Sequence, residues 1–296
     1  MQPHVSGHSV KNMPELPEVE VLRRHLHPLL SGKTLCELRV LKLRVVRPES
    51  SKRLTATVKG CRVMGIDRRG KFLWLNLVKP RSQQTFPLVI HLGMTGRLFV
   101  QPDAVKLPSH VAAVFRLDQE LLVFKDTRSF GRITLETDSI ERLGPDPLVD
   151  DFLVGDLRSA LSQSAQPVKV RLMDQRVMAG LGNIYACEVL HRAGISPFIK
   201  SLDLSPAKLK QLHAAIISTL ARQVKFGMGL DLDFMGETKG DGLFYFGSRH
   251  GQSRKAMERF RVYMRSGEPC GVCGSMIERA ELANRGTFFC PKCQPG

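Results

Sequence analysis

Long apolar runs are missing from this sequence. No stretch approaches the roughly 20 uninterrupted apolar residues of a membrane span. Residues 1–12 lack the apolar core of a secretory signal. Internal repeats and low-complexity tracts are also missing, which excludes solenoids, fibres and simple linkers. Acidic residues are scarce relative to basic ones: 28 Asp and Glu stand against 44 Lys and Arg, a formal net charge of +16. That imbalance calls for a polyanionic partner, nucleic acid or an anionic membrane face, without choosing between them. The chain nevertheless has an ordinary globular composition, 43% hydrophobic and 24% charged, and not that of a disordered tail. Its 296 residues suit about two domains, each able to bury its own core.

Cysteine is sparse over most of the chain and then concentrated. Cys36, Cys61 and Cys187 are scattered and read as small buried apolar residues. Cys270, Cys273, Cys290 and Cys293 form two C-x2-C pairs separated by sixteen residues. Two such pairs on a short hairpin can meet at a tetrahedral centre, where four thiolates satisfy one zinc ion and close it against water. A structural zinc site is therefore expected rather than disulfides, since no secretory signal is found and three cysteines are left over.

Periodicity divides the rest. Residues 17–30 read as a helix, with Pro17 suited to its first turn and Val19, Leu22, Leu26 and Leu29 at helical spacing. From Thr34 to Leu135 short alternating runs predominate (72–78, 88–92, 113–117, 121–124), with Arg69-Gly70, Gly93–Gly96 and 117–120 as turn signals. This spacing predicts an antiparallel sandwich. Gly144-Pro-Asp-Pro147 reads as a linker. Helices follow at about 151–163, 168–174 and 183–193, and Leu209, Leu212, Ile216, Leu220 and Val224 form a further apolar stripe. Six glycines between 227 and 247 suggest a mobile loop. The fold class expected is α+β: helix, sandwich, helical domain, zinc hairpin.

Several segments carry a family resemblance. Met13-Pro-Glu-Leu-Pro-Glu-Val-Glu20, Arg68-Arg-Gly-Lys-Phe72, His91-Leu-Gly-Met-Thr-Gly96, Asp126-Thr-Arg-Ser-Phe-Gly131, Leu172-Met-Asp-Gln175 with Gly180-Leu-Gly-Asn-Ile-Tyr185, and Arg285-Gly-Thr-Phe-Phe-Cys-Pro-Lys-Cys-Gln294 occur in this order. Together they resemble the Fpg/Nei family of formamidopyrimidine-DNA glycosylases, and the Pro-Glu-Leu-Pro-Glu form resembles its purine-lesion branch. The resemblance implies a helix-two-turns-helix element in the helical domain and a zinc-finger β-hairpin at the C-terminus. It divides the chain into a catalytic sandwich domain at 14–143, a linker at 144–150, a DNA-binding helical domain at 151–266 and a zinc finger at 267–296.

The same resemblance implies roles for particular residues. Pro14 is the expected nucleophile through its α-amine, with Glu15 moving protons at the sugar and Glu18 holding the site together. A free N-terminal proline is a secondary amine with a pKa of roughly 8. It can form an iminium at C1′, which acidifies the C2′ proton and permits strand cleavage. As residue 14 of a longer chain it is a tertiary amide without a nucleophilic lone pair. The active chain is therefore expected to start at Pro14, without residues 1–13. Lys71 is the expected proton donor in β-elimination, and Arg285 contacts phosphate and assists δ-elimination. Met94, Arg128 and Phe130 correspond to the residues that fill the gap left by a flipped nucleotide. Lys169, Asn183 and His110 correspond to DNA contacts. Loop 227–247 occupies the place of a lesion-capping loop.

The function expected is base-excision repair: a bifunctional glycosylase and AP lyase removing 8-oxoguanine and formamidopyrimidines from double-stranded DNA. Abasic sites are a further substrate. The enzyme is expected to be a monomer with one structural zinc ion, in the bacterial cytoplasm or nucleoid, away from membranes. Two competing readings are the same scaffold acting on oxidised pyrimidines and a non-enzymatic zinc-ribbon nucleic-acid binder. Only an enzyme needs Pro14, Glu15 and Lys71.

Overall fold

A computed structural model describes residues 13–148, 151–234, 247–248 and 260–296. Helix α1 (Leu16–Leu30) starts where the sequence places it, with Pro17 in its first turn. Glu18 accepts the backbone N–H of Glu15 at 3.0 Å, so one of the unpaired donors of the helix start is satisfied. Val19, Leu22, Leu26 and Leu30 are fully buried.

Strands β1 (Thr34–Leu35), β2 (Glu37–Val40), β3 (Cys61–Arg69), β4 (Phe72–Val78), β5 (Thr85–His91), β6 (Gly96–Pro102), β7 (Val111–Arg116), β8 (Glu120–Asp126) and β9 (Arg132–Thr134) form the sandwich. One sheet runs β1-β3-β4-β5-β9 and the other β2-β7-β8-β6, with every pairing antiparallel. Alternation in β4 turns Leu73, Leu75 and Leu77 into the core. One element in this region departs from the alternating pattern. Ser51–Val58 is a helix, α2, capped by Ser50 and buried through Leu54 and Val58. Its two apolar anchors at i, i+4 are too few to register as a helical period.

The helical half contains a short α3 (Asp138–Glu141), then α4 (Val154–Leu161), α5 (Val168–Met173), α6 (Asn183–Ala193) and α7 (Pro206–Met228). Ser205 caps α7 by accepting the N–H of Lys208 at 3.3 Å. This helix runs past the apolar stripe into the start of the expected loop at 227–247. Beyond it, β10 (Leu232–Asp233) pairs with β11 (Gly247–Ser248), and the Phe234 ring stacks on His25 at 3.9 Å. That loop is thus helical and packed at its start, and residues 235–246 lie outside the described residues. A hairpin of β12 (Glu278–Leu282) and β13 (Arg285–Phe289) completes the chain.

Two apolar cores result. Helices α4–α7 and the cysteine-bearing hairpin share the second one, through Leu172, Tyr185, Leu212, Phe260, Phe288 and Cys290. Helices α1 and α7 cross between the cores. Leu16 enters the helical core while Val19–Leu30 pack in the sandwich, and Val224 of α7 joins the sandwich core.

A buried ionic cluster fastens the same boundary. Arg68, 5% exposed, contacts Glu20 at 3.0 Å and Asp146 at 2.6 Å. Asp146 also accepts the N–H of Gly70 at 2.8 Å and of Leu148 at 3.0 Å. Burial would raise the Glu20 carboxyl, but hydrogen bonds from Arg23 and Arg24 and the charge of Arg68 pull it down to about 2. Arg69 reaches the carbonyls of Leu143 and Gly144 at 3.2 and 3.3 Å. Both arginines before Gly70 are thus fasteners, which leaves Lys71 to the site. Replacing Arg68 by Met takes the cation from buried Asp146 and one of three from Glu20, and urea unfolding is expected to show a loss of about 3–5 kcal/mol. A loss below about 1 kcal/mol would mean the cluster is not a fastener.

Candidate active site and DNA-facing surface

The site begins where the chain enters α1. The N-terminal amides of α6 point at the Glu15 carboxylate, which accepts N–H groups from Gly182 at 2.7 Å, Ile184 at 2.9 Å and Tyr185 at 3.3 Å. The Tyr185 hydroxyl donates to Glu18 at 2.6 Å, and the Leu16 N–H donates to the Gly180 carbonyl at 3.1 Å. The helix start thus holds an anion, as helix starts favour, and that anion is an internal carboxylate.

Lys71 stands in the two-residue β3–β4 turn, directly after Gly70. A Cβ on Gly182 would sit 2.7 Å from its Nζ and collide with the Glu15 carboxylate, so only glycine lets helix, acid and amine converge here. Burial pushes the Glu15 carboxyl up, against the Lys71 charge and the three amides. Burial also pulls the Lys71 ammonium down, opposed by Glu15 and aided by Arg285. Burial thus disfavours the charged form of each partner, so a proton can be held or released between them, which suits acid–base work.

A cleft of about 440 Å³ opens on this pair, with Met13, Lys71, His91, Gln175, Gly182 and Arg285 in its lining. Arg285 arrives from the last hairpin, whose two-residue turn holds Ala283 and Asn284 at φ 50° and 57°. Of the residues expected to be catalytic, Glu15, Glu18, Lys71 and Arg285 are thereby assembled around the segment that carries Pro14. Sequence reading gave no role to Gly182, Gln175 or His91. Gln175 clamps the turn before α6 by accepting the Gly180 N–H at 2.9 Å and donating to the Leu181 carbonyl at 2.7 Å. His91 accepts the Gly93 N–H on Nδ1 at 3.2 Å. Burial, then the charges of Lys71 and Arg132, lower it to about 4, so it is a neutral wall of the cleft.

The expected gap-filling residues sit on two adjoining turns. Asp126, fully buried, accepts the Thr95 hydroxyl at 2.5 Å, the Arg128 N–H at 3.1 Å and the Gly131 N–H at 2.8 Å. A Cβ on Gly93, at φ 62°, would strike the backbone of Phe130 and Gly131 at 2.6 Å. One carboxylate and one glycine thus hold Met94 beside Arg128 and Phe130. Met94 is half-buried, and Arg128 and Phe130 are exposed. The Phe130 ring lies between two guanidinium groups, Arg128 at 4.6 Å and Arg44 at 5.4 Å. His110 is exposed at φ 63°, and its carbonyl accepts the Asp126 N–H at 3.0 Å, which brings it to the same surface. The signal for Asp126 was its place at the head of Asp126-Thr-Arg-Ser-Phe-Gly131.

Lys169 and Asn183 are placed differently from a surface phosphate contact. Lys169 is 1% exposed and donates to Asn183 at 2.7 Å and Thr287 at 2.8 Å. Asn183 donates to the Gly286 carbonyl at 3.0 Å. Together they seam α5 and α6 to the hairpin that bears Arg285.

The four terminal cysteines converge with all sulfurs within 4.8 Å of one another. Contacts of 3.9 Å (Cys270–Cys293) and 3.4 Å (Cys273–Cys290) fit the tetrahedron edge of about 3.8 Å implied by Zn–S bonds of about 2.3 Å. His191 Nε2 lies 3.4 Å from the Cys270 sulfur, an outer partner for a thiolate. Gln294 accepts the Cys290 N–H and donates to the Ile195 carbonyl, both at 2.9 Å, and so docks the knuckle on the end of α6.

A buried acid–amine pair, a cationic cleft, a wedge of exposed side chains and a four-cysteine knuckle define a zinc-bearing, nucleic-acid-acting enzyme. Comparison with known proteins specifies it. Residues 13–133 match the formamidopyrimidine-DNA glycosylase N-terminal domain, 143–232 its H2TH domain, and 267–296 the zinc finger found in FPG and IleRS. Formamidopyrimidine-DNA glycosylase of Thermus thermophilus is 40% identical over 290 residues, covering 95% of this chain and 98% of that one. The Caulobacter vibrioides protein is 39% identical, covering 95% and 100%. The Lactococcus lactis enzyme bound to AP-site DNA superposes with a TM-score of 0.80 at 30% identity, covering 95% of this chain and 100% of that one. A Lactococcus complex with Fapy-dG DNA gives a TM-score of 0.82. The chain belongs to the formamidopyrimidine-DNA glycosylase family, and it is a DNA glycosylase of that family with a C-terminal zinc site.

Gly182→Ala is expected to lower base excision by at least about 100-fold, since a 1 Å displacement of reacting groups has that scale of effect, while zinc content stays at one per chain. Unchanged excision would dissociate Gly182 from the site. Cys290→Ser, or chelation of the metal, is expected to unfold the terminal hairpin and abolish DNA binding. Retained affinity in a gel-shift titration would contradict that.

Proposed function

We propose that the chain acts from Pro14 onward as a bifunctional glycosylase and AP lyase on oxidised purines, 8-oxoguanine and formamidopyrimidines, in double-stranded DNA. The observation that carries this reading is the convergence of Glu15, Lys71 and Arg285 on the cleft that Met13 lines. Residue 14 follows directly, so loss of Met13 would free its amine at that cleft. Matches beginning at residue 13 and covering whole relatives support this start.

In the reaction, the Pro14 nitrogen bonds to C1′ as the C1′–N bond to the damaged base breaks, and the base leaves with a proton. The nitrogen, having given up its proton, then shares its lone pair with C1′ as an iminium while the C1′–O4′ bond breaks and O4′ takes up a proton, which opens the sugar ring. Loss of the C2′ proton drives the C3′–O bond to break, and a second elimination breaks C5′–O. Glu15 and Lys71 shuttle these protons. Cationic Lys71 and Arg285 also depress the pKa of a neighbouring amine, which favours its nucleophilic form at neutral pH. Met94, Arg128 and Phe130 would occupy the vacated stack, and His110, Lys169 and Asn183 would hold the duplex or the hairpin that grips it. The enzyme would work as a monomer in the bacterial cytoplasm. Among the described residues no helix is long and apolar enough to cross a membrane.

Borohydride trapping on abasic duplex DNA tests the reading. Protein beginning at Pro14 is expected to form a covalent adduct, and chain retaining residues 1–13, whose Pro14 is a tertiary amide, is expected to form none. Equal adduct yields from the two would remove Pro14 from the chemistry.

A further inference from the structure

At the far end of α6 from the active site, about 15 Å along the helix from Asn183, lies a groove of about 750 Å³. Arg192, Lys208 and Arg261 stand along it, Ala215 is buried at its floor, and the exposed Ala214 and Val272 give it apolar walls. On α7 the positions 208, 211, 215, 218 and 222 follow the helical 3–4 spacing, so Arg222 continues the same face. Charge interaction confirms the proximity: burial, then Arg222 and Arg261, pull the Arg192 guanidinium down. Among the described residues no acidic side chain lines the groove. The Glu188 carboxylate on α6 is buried and accepts the backbone N–H groups of Arg261, Val262 and Tyr263 at 2.9–3.0 Å. The negative end of α6 accounts for one cation at Arg192. It does not account for two more guanidinium groups gathered beside it without a side-chain hydrogen bond or ion pair to a described residue.

We infer that this groove binds an acidic peptide segment of a partner protein, with its carboxylates on Arg192, Arg222 and Arg261 and an apolar side chain on Ala214 and Val272. Charge complementarity selects an anion, and the concave apolar floor selects a peptide over nucleic acid. A sugar–phosphate backbone offers no apolar side chain to fill that floor. A duplex gripped at the catalytic cleft lies at the other end of α6. Like-charged side chains held together in this way are relieved when carboxylates intervene.

Fluorescence anisotropy of the full chain with a labelled octapeptide of alternating Asp and Leu tests the site. Saturable binding is expected at about 50 mM salt, weakening at least about tenfold by about 300 mM. The double change Arg192→Glu with Arg222→Glu is expected to weaken binding at least about tenfold, with borohydride trapping of abasic DNA unchanged. Ala214→Asp, which spares every arginine, is expected to weaken it as well. Three results would overturn the proposal. One is no saturable binding by the intact chain, and another is unaltered peptide affinity in both variants. The third is displacement of the peptide by undamaged DNA whose own affinity falls by the same factor in the double variant, which would make the groove a nucleic-acid site.

Discussion

The carboxylate of Glu15, seated on the amides of Gly182, Ile184 and Tyr185, is the contact on which the active site depends. With Glu18, which accepts the Tyr185 hydroxyl, it joins the start of α1 directly to α6 at the point of chemistry. Without it the segment carrying Pro14 would have the Glu18–Tyr185 and Leu16–Gly180 hydrogen bonds and the packing of Leu16 to hold it, and none of these seats the Glu15 carboxylate beside Lys71. Burying a carboxylate is costly unless charge and hydrogen bonds compensate. Here a helix start, a lysine and three amides do so, and the acid remains available for proton transfer.

The remaining architecture makes that contact possible. Arg68 ties α1 to Asp146, and Asp146 fixes Gly70, so the hairpin that carries Lys71 is registered against the helical half. Gln175 shapes the turn that presents the amides. Lys169 and Asn183 then anchor the zinc hairpin to α5 and α6, which sets where Arg285 enters the cleft. The knuckle contributes to catalysis at a distance, as the foundation of one arginine. Charge accumulates at every step, and the scarcity of acids in the sequence leaves the cleft and its surroundings cationic, as a phosphate-bearing substrate requires.

Much of this was legible in the sequence, for physical reasons that differ by element. Cysteine spacing fixes the metal site because a tetrahedron has one size. Alternation reveals β4, because a strand exposed on one face must repeat every two residues. The motifs around Glu15, Lys71 and Arg285 marked these residues as candidates, and the fold brings them together on one cleft. Other features stayed hidden because they exist only in three dimensions. Asp126 reads only as the head of a motif until two turns close on it. Gly182 reads as a helix boundary until an acid and a lysine occupy the space of its absent side chain. Lys169 reads as a DNA contact, and its burial against Asn183 and Thr287 appears only in the fold. The glycines after 226 suggested a loop, but α7 continues through Gly227 because Val224 and its neighbours are buried on both sides of the core boundary.

The central claim is that Glu15 holds the catalytic segment on the start of α6. Amide hydrogen exchange by NMR, comparing protein that begins at Pro14 with its Glu15→Ala variant, tests this most directly. Exchange at Gly182, Ile184 and Tyr185 is expected to accelerate at least about tenfold, the scale of one lost charge-assisted hydrogen bond. The Gly93 and Gly131 amides, held in the sandwich by His91 and Asp126, should stay as protected as before. Equal protection of the three α6 amides in both proteins would contradict it.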